Sequence, residues 1–277
     1  MKSKNENYYC TRKNYENDRD SFPVQSKPEF LDKTRILEEF LKSRSEDQLI
    51  ELWHASKKVT EQSIEQLKNM NLDKRLTPAI LAFSGIQYQY MAPDLFTQPA
   101  LDYIQKNLRI LSGFYGMLRP FDGVCPYRLE LNTKMKGFID YSLYHFWNDQ
   151  IAESLFKEDD TVINLASKQY MRLVKPYLNE NRKMITIDFQ ELKNDQWKTV
   201  GVHAKMARGE MVRFIAENQI KIPQNCEIFM ILNFNIHLKL VLSTIMSLEL
   251  ILILNVIKTQ VLKIAQLNRL PCLCTHH

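Results

Sequence analysis

Glycine is scarce in this 277-residue chain and confined to its middle: all seven (Gly85, Gly113, Gly116, Gly123, Gly137, Gly201 and Gly209) lie between residues 85 and 209. Glycine permits tight turns and close backbone approach, so irregular, site-forming backbone is expected in that zone and not in the flanks. Cysteine is also sparse. Cys10, Cys125, Cys226, Cys272 and Cys274 are odd in number and form no repeated CxxC pair. That excludes a disulfide framework or a zinc site and points to a reducing, cytoplasmic compartment. The opening MKSKNENYYC has no apolar stretch of the kind a secretory signal needs. No GxSxG, HExxH, P-loop or dinucleotide fingerprint is present. The six histidines are scattered, two of them at the very end, so no clustered iron site is expected. No metal and no cofactor is implied.

What is there is ordinary globular composition, 45% hydrophobic and 25% charged, enough for one large domain with a substantial core. The net charge of +5 tilts the choice of partner towards phosphate without defining a nucleic-acid binder. Residues 27–75 read as helices. Lys33–Leu41 carries Ile36, Leu37, Phe40 and Leu41 at helical spacing, Ser45 with Gln48 forms a capping-box signature, and Thr60–Met70 is a third helical stretch. In the centre, Pro78–Phe83 reads as a short buried strand, Asp102–Leu108 as a helix, and Leu143–Phe156 as an amphipathic helix containing Trp147. Thr161–Leu165 is a β-rich run followed by a helix that stops before Pro176. Met184–Phe189 and Trp197–His203 read as the two strands of a hairpin around the loop ELKNDQ, and Ala204–Asn218 as a last helix. The expected fold class is mixed α/β (α+β), with one compact unit over 18–224. The run at 240–257 is almost wholly aliphatic, but Glu249 sits inside it and it barely reaches membrane-spanning length. It reads as an anomalous tail, and no membrane association is expected.

Three segments can carry chemistry. Residues 109–136 place Arg109, Arg119, Arg128, Lys134 and Lys136 among Phe114, Tyr115, Phe121 and Tyr127, with three glycines between. Arginine forks suit phosphate, aromatics stack on bases, and glycines let backbone N–H groups approach an anion. The same residue types fit a folded loop whose aromatics are core and whose arginines pair with Asp122 and Glu130. VINLASKQY sets Asn164, Ser167 and Lys168 at a strand-to-helix turn, a place for an anion or simply a helix cap. On the last helix Ala207, Met211, Phe214 and Ile215 form an apolar face, while Lys205 and Arg208 project from another, which suits phosphate or plain solvent equally. Residues 161–221 hold eleven Lys/Arg against six Asp/Glu, so the chain's whole net charge can be assigned there.

Taken together, AILAFSGIQY (79–88), LRILSGFYGMLRPFDGVCPYRLEL (108–131), LYHFWND (143–149), VINLASKQY (162–170) and AKMARGEMVRFIAEN (204–218) resemble the YaaA family of peroxide-stress resistance proteins. The resemblance implies a mixed α/β fold with a positively charged cleft and a helix-hairpin-helix-like element. It also implies DNA binding and a role in limiting iron-driven oxidative damage. It makes Arg109, Arg119, Arg128, Lys168, Lys205 and Arg208 candidates for the cleft, joined by Tyr127, Lys134, Asn164 and Ser167. The expected partner is DNA, recognised by structure more than by sequence, held by its phosphates with Tyr115 or Tyr127 stacking on bases. The rival reading is an enzyme acting on a phosphorylated small molecule or nucleotide, with Glu130 or His145 moving a proton.

Both ends depart from the family pattern. Members begin with a short strand of the kind MKIIISPAK, whereas residues 1–17 are polar, and residues 225–277 are aliphatic and unpatterned. Back-translating residues 5–17 with AT-rich codons and shifting by one base gives MKIIIAPEKIMKM. The same operation from Asn225 with a two-base shift can give LRNFYDFKFQYSFE. Both ends are therefore expected to be frameshifted, which would expose strand edges next to the lost first strand.

Overall fold

A computed structural model of the chain describes residues 22–138, 142–194 and 196–219. The segments 1–17 and 225–277, with the aliphatic run at 240–257, lie outside the described residues. Among those described, no helix is long and apolar enough to cross a membrane.

The chain opens with three helices, α1 (Leu31–Lys42), α2 (Glu46–Trp53) and α3 (Lys57–Lys68). In α1 the spacing of Thr34, Leu37, Phe40 and Leu41 turns one buried face inward. The capping box opens α2: Gln48 N–H donates to Ser45 Oγ (3.3 Å), and Ser45 N–H donates to Gln48 Oε1 (2.9 Å). His54, at φ 43°, ends that helix.

Next come β1 (Thr77–Pro78), α4 (Ala79–Ala82), α5 (Ile86–Met91) and α6 (Gln98–Asn107). The strand expected over 78–83 is therefore a two-residue pairing followed by one helical turn. Ala79 and Ile80 N–H groups donate to the carbonyls of Asp122 and Pro120, each at 2.9 Å. This fixes the run at its start, and the buried apolar residues beyond it coil. A short apolar run buried on all sides carries no periodicity to tell the two forms apart.

β2 (Ile110–Ser112) and β3 (Gly116–Leu118) form an antiparallel hairpin, and β4 (Gly123–Val124) pairs with β1. Helices α7 (Leu143–Trp147) and α8 (Gln150–Glu158) replace the single helix expected there. Asn148, at φ 46° and ψ −133°, leaves the helical region and breaks it. β5 (Thr161–Asn164) runs parallel to β6 (Lys183–Thr186), with the one-turn α9 (Lys168–Met171) and a 3-10 turn at Lys175–Tyr177 between them. The expected hairpin exists but is shifted. It consists of β7 (Glu191–Lys193), inside the segment read as a loop, and β8 (Gln196–Lys198), which begins at that loop's last residue and keeps only Trp197 and Lys198 of the expected second strand. Gly201–His203 already belong to α10 (Gly201–Glu217). Asn194, at φ 50°, makes the turn, and the alternation in 184–189 serves a parallel partner just as well.

One core runs from Leu37 on α1 to Ala216 on α10, and a smaller cluster packs Ile187 and Phe189 against Ala204, Ala207, Met211 and Ile215. The fold is mixed α/β, as expected. The central motif supplies much of its core: Phe114, Tyr115, Met117, Leu118, Phe121 and Cys125 are all buried. Burial pushes the Cys125 thiol up to about 11, although the Tyr115 hydroxyl lies 3.3 Å away. Cys125 is thus expected to resist alkylation in the native chain below about pH 9, read by mass mapping, and to react once the chain is unfolded. The folded thiol keeps its proton where the unfolded one loses it. Stability should therefore fall as pH rises from about 9 towards about 11, and fall less in Cys125→Ala.

Candidate functional site

Helices α5, α6 and α10, strands β2 and β5 and the segment 127–130 together line a cavity of about 1560 Å³. The close approach of α10 to α5 depends on Gly209, because a Cβ there would lie 2.1 Å from the Gln87 carbonyl oxygen. Met211 and Ile215 of α10 turn inward, and Arg208, on the same helix, is itself 9% exposed.

Seven of the ten candidate residues line this cavity: Arg109, Tyr127, Arg128, Asn164, Ser167, Lys205 and Arg208. Arg119, Lys134 and Lys168 do not. Arg119 reaches Glu158 instead (2.6 Å), and its backbone N–H donates to Asp122 Oδ2 (2.7 Å). Lys134 and Lys168 are exposed, Lys134 in a bridge to Ser142 and Lys168 at the start of α9. Ser167 stands at the N-cap position of α9 without a side-chain cap bond. A single helical turn brings too little dipole to make an anion site by itself.

Each lining residue has a local reason to be where it is. Asn164 is buried; its amide donates to Thr186 Oγ1 (3.2 Å) and its carbonyl accepts from Ala166 N–H (2.9 Å), which holds the turn after β5. The Tyr127 ring stacks on Phe114, with centroids 4.9 Å apart, and its hydroxyl meets Ser112 Oγ at 2.8 Å. One face of Tyr127 is thus occupied. Tyr115 is 1% exposed, so its expected stacking on a base is corrected: desolvation holds its hydroxyl neutral in the core. The Arg128 side chain is 4% exposed, with Nη2 at 3.6 Å from Glu130. Arginine is rarely buried so far, and Arg128 and Arg208 both are, at one cavity.

The profile of a family described as peroxide stress protein YaaA matches residues 3–240. This chain belongs to the YaaA family. A UPF0246 protein of Lactobacillus helveticus (strain DPC 4571) is 99% identical over 206 residues, which are 74% of this chain and 81% of that protein. One of Lactobacillus acidophilus is 83% identical over 212 residues (76% and 84%), and one of Lactiplantibacillus plantarum 48% over 203 residues (73% and 82%).

In this YaaA-family chain the cavity's charges are mixed. Lys106, Arg109, Arg128, Lys205 and Arg208 stand against Asp102, Glu130, Glu158 and Asp159. Glu158, which sequence reasoning missed, joins Arg109 and Arg119. Desolvation works against its ionisation, but the two guanidiniums outweigh that and hold its carboxyl below the usual range. Burial, then repulsion from Arg119, pushes Arg109 down. Nothing in the run KEDD marks Glu158 over its acidic neighbours. The α5 residues Gln87, Tyr88 and Met91 also line the cavity, and no motif chemistry singled them out. His145 is exposed on α7 and is not among the lining residues.

Proposed function

We propose that this peroxide stress protein binds DNA through its cationic cavity wall and so limits iron-driven oxidative damage to the bound strand. The observation that carries the reading is the convergence of Arg109, Arg128, Lys205 and Arg208 on one cavity from three separate stretches of chain. Acidic neighbours offset part of that charge, so the phosphate backbone is held at particular side chains and not by a broad field. In the same reading the helix-hairpin-helix-like element is α2 and α3, joined through a three-residue turn at 54–56. The cytoplasm is the place of action.

Binding measured from about 50 to 200 mM salt is expected to weaken by about two orders of magnitude if four phosphates are neutralised. Lys205→Ala should lower the salt slope by about one, and to a similar extent on unrelated sequences. Salt-insensitive binding, or no binding at low salt by a chain shown to be folded, would sink the proposal.

A second reading, an enzyme acting on a phosphorylated small molecule or nucleotide, is favoured by the buried polar side chains of Arg128 and Asn164 standing beside apolar lining residues such as Ile110 and Met184, a convergence that small-molecule sites use. Saturable turnover of a nucleotide, lost in Arg128→Gln with the melting temperature kept, would select it. We also read residues 1–17 and 225–277 as translated out of frame. The 99% identity confined to 206 residues supports this, and the family profile's reach over 3–240 pulls the other way. The gene's nucleotide sequence decides it.

A further inference from the structure

The hairpin of β2 and β3 opens on two like charges. Its register pairs Ile110 with Leu118, and one step further sets Arg109 opposite Arg119. Like charges directly across a strand pair are destabilising. Burial and then repulsion from Arg119 push Arg109 down. The two guanidiniums share the carboxylate of Glu158: Oε2 accepts from Arg109 Nη2, and Oε1 from Arg119 Nη2 at 2.6 Å. Asp122 also stands near, but its carboxylate accepts from Ser26 Oγ and from the Arg119 backbone N–H, and burial pushes its carboxyl up. Two arginines on one shared carboxylate leave the trio net positive. Arg109 and Glu158 line the cavity and Arg119 does not, so the trio stands at the cavity's edge.

Of the three side chains, Glu158 is the one placed to move. The Arg109 side chain is 12% exposed, and its Nη1 donates to the carbonyls of Lys106 (2.8 Å) and Leu108 (2.9 Å), which fixes the fork with Nη2 towards Glu158. The Glu158 side chain is 55% exposed and ends α8, where the helix dipole disfavours a carboxylate. An exposed ion pair of this kind holds weakly against solvent. Its acidic neighbours are occupied by Thr161: Asp159 Oδ1 accepts from the backbone N–H (3.1 Å), and Asp160 Oδ1 from the hydroxyl (2.9 Å).

We propose that Arg109 and Arg119 form a binding site for a terminal phosphate, a phosphomonoester dianion, which enters by displacing Glu158. A phosphodiester brings a single charge and two unesterified oxygens, as the resident carboxylate does, so the exchange gains little. A monoester brings nearly twice the charge and a third oxygen, which suits two guanidinium forks that each offer paired donors. The phosphate belongs either to the end of a DNA strand or to a phosphorylated small molecule. The site shares Arg109 with the DNA reading and adds Arg119 and Glu158, which that reading does not use.

The test titrates phenyl phosphate and dimethyl phosphate into the full 277-residue chain at about pH 8, where the monoester is a dianion. Calorimetry and melting temperature are the readouts. Phenyl phosphate should bind and raise the melting temperature, and dimethyl phosphate should bind about tenfold more weakly or worse. Glu158→Gln should tighten phenyl phosphate by about two- to fivefold, a gain that misfolding cannot mimic. Arg119→Gln should lose binding, while Arg35→Gln, an exposed arginine paired with Asp73, should not. A 5′-phosphorylated oligonucleotide that outbinds its 5′-hydroxyl twin, with the difference gone in Arg119→Gln, assigns the phosphate to a strand end. Equal binding of the two, with phenyl phosphate bound, assigns it to a small molecule. Equal affinities for phenyl and dimethyl phosphate, or unchanged or weaker phenyl phosphate binding in Glu158→Gln, overturn the proposal. DNA that binds where phenyl phosphate does not refutes this site and leaves the reading of the cavity wall standing.

Discussion

Trp147→Ala is expected to cost about 3–5 kcal/mol of folding stability, a large share of the roughly 5–15 kcal/mol available to a domain. Trp147 is 0% exposed. Its Nε1–H donates to the Gly113 carbonyl (3.0 Å), and its ring meets Phe30 and Phe146 with centroids 5.8 and 5.0 Å apart. A Cβ on Gly116 would come within 2.8 Å of that ring, so the turn between β2 and β3 is shaped to the indole. Alanine removes the ring, leaves a cavity against rigid backbone, and strips the buried Gly113 carbonyl of a donor. Trp147→Phe separates the two effects: most of the packing survives, and the missing donor costs about 1–3 kcal/mol. Urea unfolding checks both. A loss below about 1 kcal/mol for Trp147→Ala would mean that the turn does not rest on this side chain.

That turn also marks how far the sequence is legible. Residues 109–136 fit a phosphate loop and a folded core segment equally well, since both use arginine, aromatics and glycine. Glycine's role is visible only once Gly113 is seen against the backbone of Leu129 and Leu131, and Gly116 against Trp147. The local signals did better. The Ser45–Gln48 box is complete within four residues, whereas the apolar spacing of α10 found Ala207, Met211 and Ile215 but not the burial of Arg208 and Val212 in place of Phe214. Partners are another matter. Nothing in MITIDF tells whether a strand pairs with the next segment or, as here, with β5 twenty residues earlier in parallel. The candidate site was legible as a list of cations and illegible as an arrangement. Arg119 and Lys168 carry the same chemistry as Arg109 and Lys205, and only the packing of distant elements decides which of them share a cavity. Glu158 became visible only when both of its arginines were seen to reach it.

Gly209→Ala is expected to destabilise the chain, against the rule for its position. Inside a helix, alanine is ordinarily favoured over glycine by about 0.5–1 kcal/mol. At residue 209 the added Cβ would sit 2.1 Å from the Gln87 carbonyl oxygen and 2.9 Å from the Met91 nitrogen, both backbone atoms of α5. Neither can swing aside as a flexible side chain would. The two helices must part, at a cost on the order of 1–3 kcal/mol or more. Because Lys205 and Arg208 ride on the same helix, their placement on the cavity wall moves with it, and the DNA affinity proposed for that wall should drop even under conditions where the variant stays folded. Gly201→Ala is the matched control. It lies at the start of the same helix, where an added Cβ would meet nothing within 4 Å, so the ordinary rule should hold and the change should be neutral or mildly stabilising. Chemical denaturation of the pair therefore reads a sign, which is harder to mistake than a magnitude. Opposite signs place the α5–α10 contact at Gly209. Two stabilised variants would mean that α10 stands further from α5, and that the cavity wall carrying Lys205 and Arg208 is not held by this contact.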